Sequence, residues 1–165
     1  MRLTRSEGAR GSAQGQFRYR IYKQLNEKLK HAYSQRCFFE VVTICDMLIT
    51  DRLEAFNQYL LHDESLQYRT APIGAALRNL RTTIKEKLET KEIDECKELK
   101  TLLVDVKKFA DLRNDCAHGY VVLSEAHNQS LEQRETKLQE TAQFGMELFR
   151  EFSKYTKKHI KHPKS

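Results

Sequence analysis

The chain has 165 residues and a formal net charge of +6. This length suits one domain with a single hydrophobic core, and a composition of 39% hydrophobic and 32% charged residues excludes a disordered chain. No apolar run is long enough to cross a bilayer and no secretory segment follows Met1, so we expect a cytoplasmic protein with no membrane partner. The basic charge favours a polyanionic partner, although net charge alone does not separate RNA from a membrane surface or from plain solubility.

A basic arm followed by a helical bundle is expected. Residues 1–16 predict a flexible arm, because glycines and arginines are concentrated there: Gly8, Gly11, Gly15, Arg2, Arg5 and Arg10. Residues 17–162 predict one helical domain, since Leu, Lys, Glu, Gln and Arg are abundant and helix breakers are few. No segment alternates apolar and polar residues, so no sheet is expected and the fold class is all-α.

Apolar residues recur at helical spacing in five segments of the chain. They predict helices over about residues 17–33, 35–61, 72–88 and 93–117, and a fifth helix after Ser124. Each helix has one apolar stripe, and the stripes together would form the core of a single bundle of about five helices.

The first of these segments leaves two interpretations open. Residues 16–22 interleave aromatic side chains with cations, as stacking platforms for single-stranded nucleic acid do. The helical spacing of Phe17, Ile21 and Leu25 favours burial in the core instead, which is the simpler expectation. Leu131 is expected to be buried in the same way on the fifth helix.

Four residues are expected to mark helix ends. Thr70 suits an N-cap with Pro72 in the first turn of the third helix, and Ser124 suits the N-cap of the fifth. Gly119 suits the position just after the fourth helix, because glycine accepts a positive φ there.

No metal or cofactor site is expected. The cysteines Cys37, Cys45, Cys96 and Cys116 form no CxxC pair, and each lies in or beside an apolar helical pattern. Buried free thiols are therefore expected rather than disulfides or zinc ligands. The histidines are too scattered along the sequence for metal ligation, and the chain has neither a Gly-rich phosphate loop nor a nucleophile elbow.

The segment from Arg113 to Tyr120 is the strongest candidate for a functional site. Arg113 carries a permanently charged, planar fork of donors that fits a phosphate, and His118 is suited to proton transfer near neutral pH. Arg-x4-His alone is expected by chance roughly half the time, whereas Asn114 and Tyr120 make the full pattern rare. The alternative is a helix end, in which Arg113 pairs with an acidic neighbour and His118 favours the helix dipole.

Helical geometry separates the two candidate groups. Arg113 and His118 lie roughly 140° apart around a helix and about 7.5 Å apart along its axis, so one helix does not easily aim both at one atom. In a two-fold dimer, each phosphate would instead meet two arginines and two histidines. One histidine would take the 2′-hydroxyl proton, its mate would protonate the leaving 5′-oxygen, and the arginines would stabilise the transition state.

At Arg113, Asn114 and His118 the chain resembles the HEPN superfamily (higher eukaryotes and prokaryotes nucleotide-binding domains) of small all-α domains. With Tyr120 included, the pattern resembles the HepT toxins of toxin–antitoxin pairs. The resemblance implies a homodimeric, metal-independent endoribonuclease in a toxin or phage-defence role, with Arg113 and His118 catalytic and Asn114 in the polar position. It also implies that a nucleotidyltransferase antitoxin could attach adenylate to Tyr120.

Charged residues outside this segment are weaker candidates. Arg78, Arg81 and Lys85 form a basic turn on the third helix that would contact RNA phosphates or simply be solvated. Glu40 and Asp51 share one side of the second helix, where they would orient a basic residue of the site or pair on the surface.

Two rival functions remain open at this point. A non-catalytic HEPN-like module would bind a nucleotide or an RNA end through Arg113 and His118 without turnover. An all-α regulatory or interaction protein, resembling mannitol-operon repressors, would keep its partner without either residue.

Overall fold

The computed structural model describes residues 13–61, 71–88, 93–121 and 130–159. These segments form five α-helices with no strand among them, packed into one bundle. The helices are α1 (Ala13–Ser34), α2 (Phe38–Leu61), α3 (Ile73–Leu88), α4 (Ile93–Val121) and α5 (Leu131–His159). The expected all-α fold of about five helices is confirmed. No helix within the described segments is both long enough and apolar enough to span a membrane.

Helix α2 is the centre of the bundle, because it packs against each of the other four helices. Its side chains are buried on most of its circumference, as expected for a helix with neighbours on several sides. The buried residues are Phe38, Val41, Val42, Ile44, Cys45, Leu48, Ile49, Arg52, Leu53 and Phe56.

Helices α2 and α5 run in the same direction, and α4 runs against them. Cys45 of α2 lies beside Gly145 of α5, and Phe56 further along α2 meets Phe152 further along α5. On the other side of α5, its late residue Lys158 pairs with Glu98, near the start of α4. The second half of α4 therefore lies beside the first half of α2.

Helix α1 is anchored to α2 through Tyr22. The Tyr22 hydroxyl donates a hydrogen bond to Asp51, and the guanidinium carbon of Arg52 lies 4.9 Å from the centre of the Tyr22 ring. Tyr22, Leu29 and Ala32 are buried, so their side of α1 faces the bundle and the expected burial of Phe17 and Ile21 is wrong. Phe17 lies about 140° from Tyr22 around the helix, and it is 65% exposed. Ile21 is also exposed.

The start of α5 also departs from expectation. Leu131, the first residue of the helix, is 77% exposed rather than buried. The first buried residue of α5 is Leu138, about two turns later, so the beginning of the helix extends past the core. The N-cap is Ser130. Its hydroxyl oxygen accepts a hydrogen bond from the backbone N–H of Gln133, and the side-chain oxygen of Gln133 accepts one from the backbone N–H of Ser130. This reciprocal capping box fixes the start of α5, and the expected cap Ser124 lies outside the described residues.

The other helix ends were only partly anticipated. Helix α1 begins at Ala13, so residues 13–16 of the expected arm are helical, and residues 1–12 lie outside the described part of the chain. Helix α4 continues through Gly119 to Val121, so the prediction that Gly119 follows the helix is wrong. Glycine tolerates helical φ as well as positive φ, and one interior glycine costs only about 1 kcal/mol. Pro72 directly precedes α3 and accepts its first backbone hydrogen bonds, whereas Thr70 is not described.

Candidate functional site

The candidate site lies where α2, α4 and α5 meet. Gly145 of α5 makes this approach possible, because a Cβ atom there would lie 2.5 Å from Phe109 Cε2 and 3.1 Å from Cys45 Cβ. Phe109 is fully buried one turn before Arg113 on α4, and Cys45 directly precedes Asp46 on α2. The packing of these core residues therefore brings Arg113 and Asp46 to the same edge of the core.

The guanidinium of Arg113 is held by two partners. Its Nη2 donates to Asp46 Oδ2 over 2.8 Å, and its Nη1 donates to Asn114 Oδ1 over 2.7 Å. The Arg113 side chain is 32% exposed and that of Asp46 is 18% exposed. Charge-assisted bonds of this kind fix the plane of the guanidinium, and about a third of the side chain is exposed.

Asp46 is the residue that sequence reasoning missed. Glu40 and Asp51 were the carboxylates expected to orient a basic residue, but Glu40 is exposed and Asp51 accepts a hydrogen bond from Tyr22. Asp46 directly follows Cys45 of the apolar stripe, and an acidic residue beside core positions was the available signal. Its second oxygen, Oδ1, is buried and has no hydrogen-bond partner within the described residues.

His118 is separated from this pair. It is exposed near the end of α4, and no hydrogen bond joins it to Arg113 in the described part of the chain. The expected angle of roughly 140° between the two residues holds, because α4 is helical throughout the segment. Tyr120 belongs to α4, but its side chain lies outside the described residues. One chain thus brings Arg113 and Asn114 together and presents His118 elsewhere.

The basic turn on α3 lies apart from Arg113. Arg78, Arg81 and Lys85 are exposed, but Arg81 Nη2 also donates to the Leu103 carbonyl of α4 over 3.1 Å. Arg81 therefore helps to hold α3 against α4. Leu103 and Arg113 are ten positions apart on α4, about 15 Å along the helix axis.

The cysteine beside Asp46 is not a nucleophile. Burial raises the pKa of the Cys45 thiol to about 12, while the positive charge of Arg150 lowers this pKa and the negative charge of Asp46 raises it. The thiol is therefore protonated at neutral pH. Cys45 and Cys116 are buried free thiols as expected, Cys37 is exposed against expectation because it lies in the turn between α1 and α2, and the side chain of Cys96 is not described.

The remaining chemistry of the site is that of arginine, carboxylate, amide and imidazole. Within the described residues, no group of three or more His, Cys, Asp or Glu side chains is placed to hold a metal ion. No family model, curated protein or solved structure matches the chain. The functional proposal therefore depends on the site geometry together with the sequence pattern of residues 113–120.

Two apolar side chains of α2 near the site are partly exposed. Phe39 and Met47 of α2 are each 52% exposed. Phe39 lies two turns before Asp46 on nearly the same side of the helix, and Met47 directly follows Asp46. The ion pair of Arg113 and Asp46 thus borders a partly apolar surface of α2.

Proposed function

We propose that the chain is a metal-independent endoribonuclease of the HEPN type and that it works as a homodimer. The observation that carries this proposal is the arrangement of α4: Arg113 is oriented by Asp46 and Asn114, and His118 is exposed about 140° away. Such an arrangement supplies a fixed phosphate-binding group and a separate proton-transfer group, which together are half of an active site.

Arg113 has the properties of a group that stabilises a transition state. Its guanidinium is always charged, and its orientation is set before any RNA binds, so little reorganisation is needed during the reaction. Asp46 and Asn114 are positioning residues in this account, because they act through Arg113. The exposed part of the Arg113 side chain would meet the non-bridging oxygens of the phosphate that is cleaved.

A second copy of the chain would complete the site. In an isologous dimer, residues near the two-fold axis lie close to their equivalents in the other copy. Phe39 and Met47 offer exposed apolar area next to Asp46, as a dimer surface would. Two His118 side chains, one from each copy, would then supply the base and the acid that cleavage requires.

The reaction would be an internal transesterification. One His118 removes the proton of the 2′-hydroxyl, and the resulting 2′-oxygen attacks the adjacent phosphorus. The bond from phosphorus to the 5′-oxygen breaks, and the other His118 gives that oxygen its proton. The products end in a 2′,3′-cyclic phosphate and a 5′-hydroxyl, with no metal ion involved in any step.

The cellular role that fits this activity is that of a cytoplasmic toxin or defence effector. Uncontrolled cleavage of cellular RNA must be restrained, and a nucleotidyltransferase antitoxin would do this by attaching adenylate to Tyr120. Tyr120 lies two residues after His118 in the sequence of α4.

Incubation of purified protein with total RNA in EDTA tests the proposal. We expect wild type to degrade RNA and His118→Ala to leave it intact, while the control His31→Ala, which removes an exposed histidine of α1, behaves as wild type. Expression of wild type, but not of His118→Ala, should slow growth. Identical RNA patterns and equal growth for wild type and His118→Ala would refute the nuclease.

A non-catalytic binding module is the second candidate. It is favoured by the position of His118, which lies about 140° from Arg113 on α4 and shares no hydrogen bond with it within the described residues, so one chain presents a guanidinium without a proton-transfer group beside it. In that case Arg113→Ala would abolish nucleotide or RNA binding in calorimetry, and wild type would show no turnover. A partner protein retained by the double variant of Arg113 and His118 would instead indicate a regulatory bundle.

A further inference from the structure

Helix α1 presents two exposed aromatic rings close to its beginning. Phe17 is 65% exposed and Tyr19 is 52% exposed, and the cations Arg20 and Lys23 are exposed beside them. Tyr22 lies on the side of the helix that faces α2. Measured around the axis from Tyr19, Lys23 lies at about 40°, Arg20 at about 100° and Phe17 at about 160°. We name these four residues the α1 aromatic–cationic face.

Helix α1 is strongly basic. Helix α1 contains five Lys and Arg residues and one acidic residue, Glu27, which is a net charge of +4 out of +6 for the whole chain. Glu27 lies 4.0 Å from Lys23 in an exposed pair, which provides little stabilisation. A polyanion is therefore the partner whose charge complements α1.

The positions of the rings distinguish among polyanionic partners. A helix that lies on a membrane surface has one continuous apolar side, whereas Phe17 and Tyr19 lie on nearly opposite sides with Arg20 and Lys23 between them. Rings that flank cations suit a single strand, whose phosphates meet the cations while its bases stack on the rings. Residues 1–12 carry three arginines and one glutamate, so their own charge has the same sign as that of α1.

We propose that the α1 aromatic–cationic face binds single-stranded RNA. Phosphates contact Arg20 and Lys23, and bases stack on Phe17 and Tyr19. The inference rests on the proposed function, since it names the form of RNA that the nuclease would take.

The face is remote from the site of cleavage. Asp51, which receives the Tyr22 hydrogen bond, and Asp46, which holds Arg113, are five positions apart and about 140° apart on α2. Helix α1 and Arg113 thus lie on different sides of α2. Substitution of the residues of the α1 aromatic–cationic face should therefore raise KM for single-stranded RNA and leave kcat unchanged.

Fluorescence anisotropy with labelled RNA of about 12 nucleotides in EDTA tests the face. All proteins carry His118→Ala, so that the probe is not cut during the measurement. The double variant Phe17→Gln and Tyr19→Gln removes both rings and keeps good helix formers. We expect its affinity for single-stranded RNA to fall by about 30-fold, taking the lower bound for stacking on each ring. Tyr19→Phe keeps the ring and should bind as the parent does.

Matched controls separate stacking from general effects. The double variant Val104→Gln and Leu131→Gln removes two other exposed apolar side chains and should not change affinity. Duplex RNA of the same length should bind the aromatic double variant as well as the parent, because bases within a duplex are already stacked. Far-UV circular dichroism should show the same helix content in every protein.

The cations are tested by the salt dependence of binding. Replacing Arg20 and Lys23 by glutamine should reduce the slope of log affinity against log salt by about 1.4, because two phosphate contacts are lost. Replacing Lys100 and Lys154, two exposed lysines on α4 and α5, by glutamine removes the same charge and should leave the slope unchanged.

The outcomes separate this inference from the proposed nuclease. If the aromatic double variant binds single-stranded RNA within about two-fold of the parent affinity, the α1 aromatic–cationic face is not the RNA-binding surface, even if wild type cleaves RNA. If the aromatic double variant loses binding to anionic phospholipid vesicles but binds RNA as the parent does, the face binds a membrane surface and the RNA proposal is wrong. If the aromatic double variant loses RNA binding but wild type never cleaves RNA, RNA binding by the α1 aromatic–cationic face is supported and the proposed nuclease activity is refuted.

Discussion

Gly145→Ala should disturb the junction of α2, α4 and α5 that positions the candidate site. The added methyl would lie 2.5 Å from Phe109 Cε2 and 3.1 Å from both Phe109 Cζ and Cys45 Cβ. Carbon atoms in contact are normally about 3.5–4.0 Å apart. Phe109 is fully buried in a close-packed core, so its ring, α4 or α5 must shift to admit the methyl.

The magnitude follows from two opposing effects. Overpacking of a filled core costs about 1–3 kcal/mol, whereas replacing glycine by alanine inside a helix stabilises it by about 1 kcal/mol. Gly74→Ala is the matched control, because a Cβ atom at Gly74 of α3 would have no neighbour within 4 Å. Both variants gain helix propensity, although Gly74→Ala, in the first turn of α3, gains less than an interior position does. Gly145→Ala should therefore be less stable than Gly74→Ala by about 1–3 kcal/mol.

Urea unfolding followed by far-UV circular dichroism measures this difference. Phe109→Leu removes ring atoms that the new methyl would meet, so the cost of Gly145→Ala should be smaller in that background, as a double-mutant cycle would show. Equal stabilisation by Gly145→Ala and Gly74→Ala would refute the close packing at Gly145. It would also remove the physical reason for the approach of Asp46 to Arg113.

Three further predictions concern the cap, the buried thiol and the ion pair. Ser130→Ala should destabilise the protein by about 1 kcal/mol in urea unfolding, since α5 loses its capping box; no loss would contradict that cap. Because burial raises the pKa of Cys45 from 9.0 to about 12, the unfolded chain releases this proton first. The free energy of unfolding should then fall as the pH rises from 9 towards 12, and Cys45→Ala should show a shallower decline than wild type. Asp46→Ala should lower kcat for RNA by about 10- to 100-fold, because Arg113 loses its orientation. Glu40→Ala, on the exposed side of α2, should leave kcat unchanged. Equal effects of the two substitutions on kcat would exclude a positioning role for Asp46.

The helices and most of the core were predictable because they depend on local periodicity. The stripe through Phe38, Cys45 and Ile49 places every third or fourth residue in the core of α2. The fit of α1 onto α2 was not predictable in the same way. Phe17 and Ile21 have helical spacing, but a second set of residues at helical spacing, Tyr22, Leu29 and Ala32, is the one that is buried.

The candidate site was predicted in part for the same reason. The pattern of residues 113–120 is local, so Arg113, Asn114 and His118 and the angle between them could be derived from the sequence. Asp46 could not be assigned, because it lies 67 positions from Arg113 and the pair depends on how α2 and α4 pack around Gly145. The extension of α4 through Gly119 was missed because glycine is compatible both with a helix and with its end.

End-group analysis of a cleaved RNA is the most direct test of the central claim. The substrate is an oligonucleotide with 2′-O-methyl groups throughout except at one ribonucleotide, so that only one position can react by 2′-hydroxyl attack. In EDTA we expect wild type to cut only there and to leave a 2′,3′-cyclic phosphate, and we expect Arg113→Ala and His118→Ala to leave the strand intact. A strand that remains whole with wild type, or cleavage that needs Mg²⁺ and leaves a 3′-hydroxyl, would contradict the proposed ribonuclease.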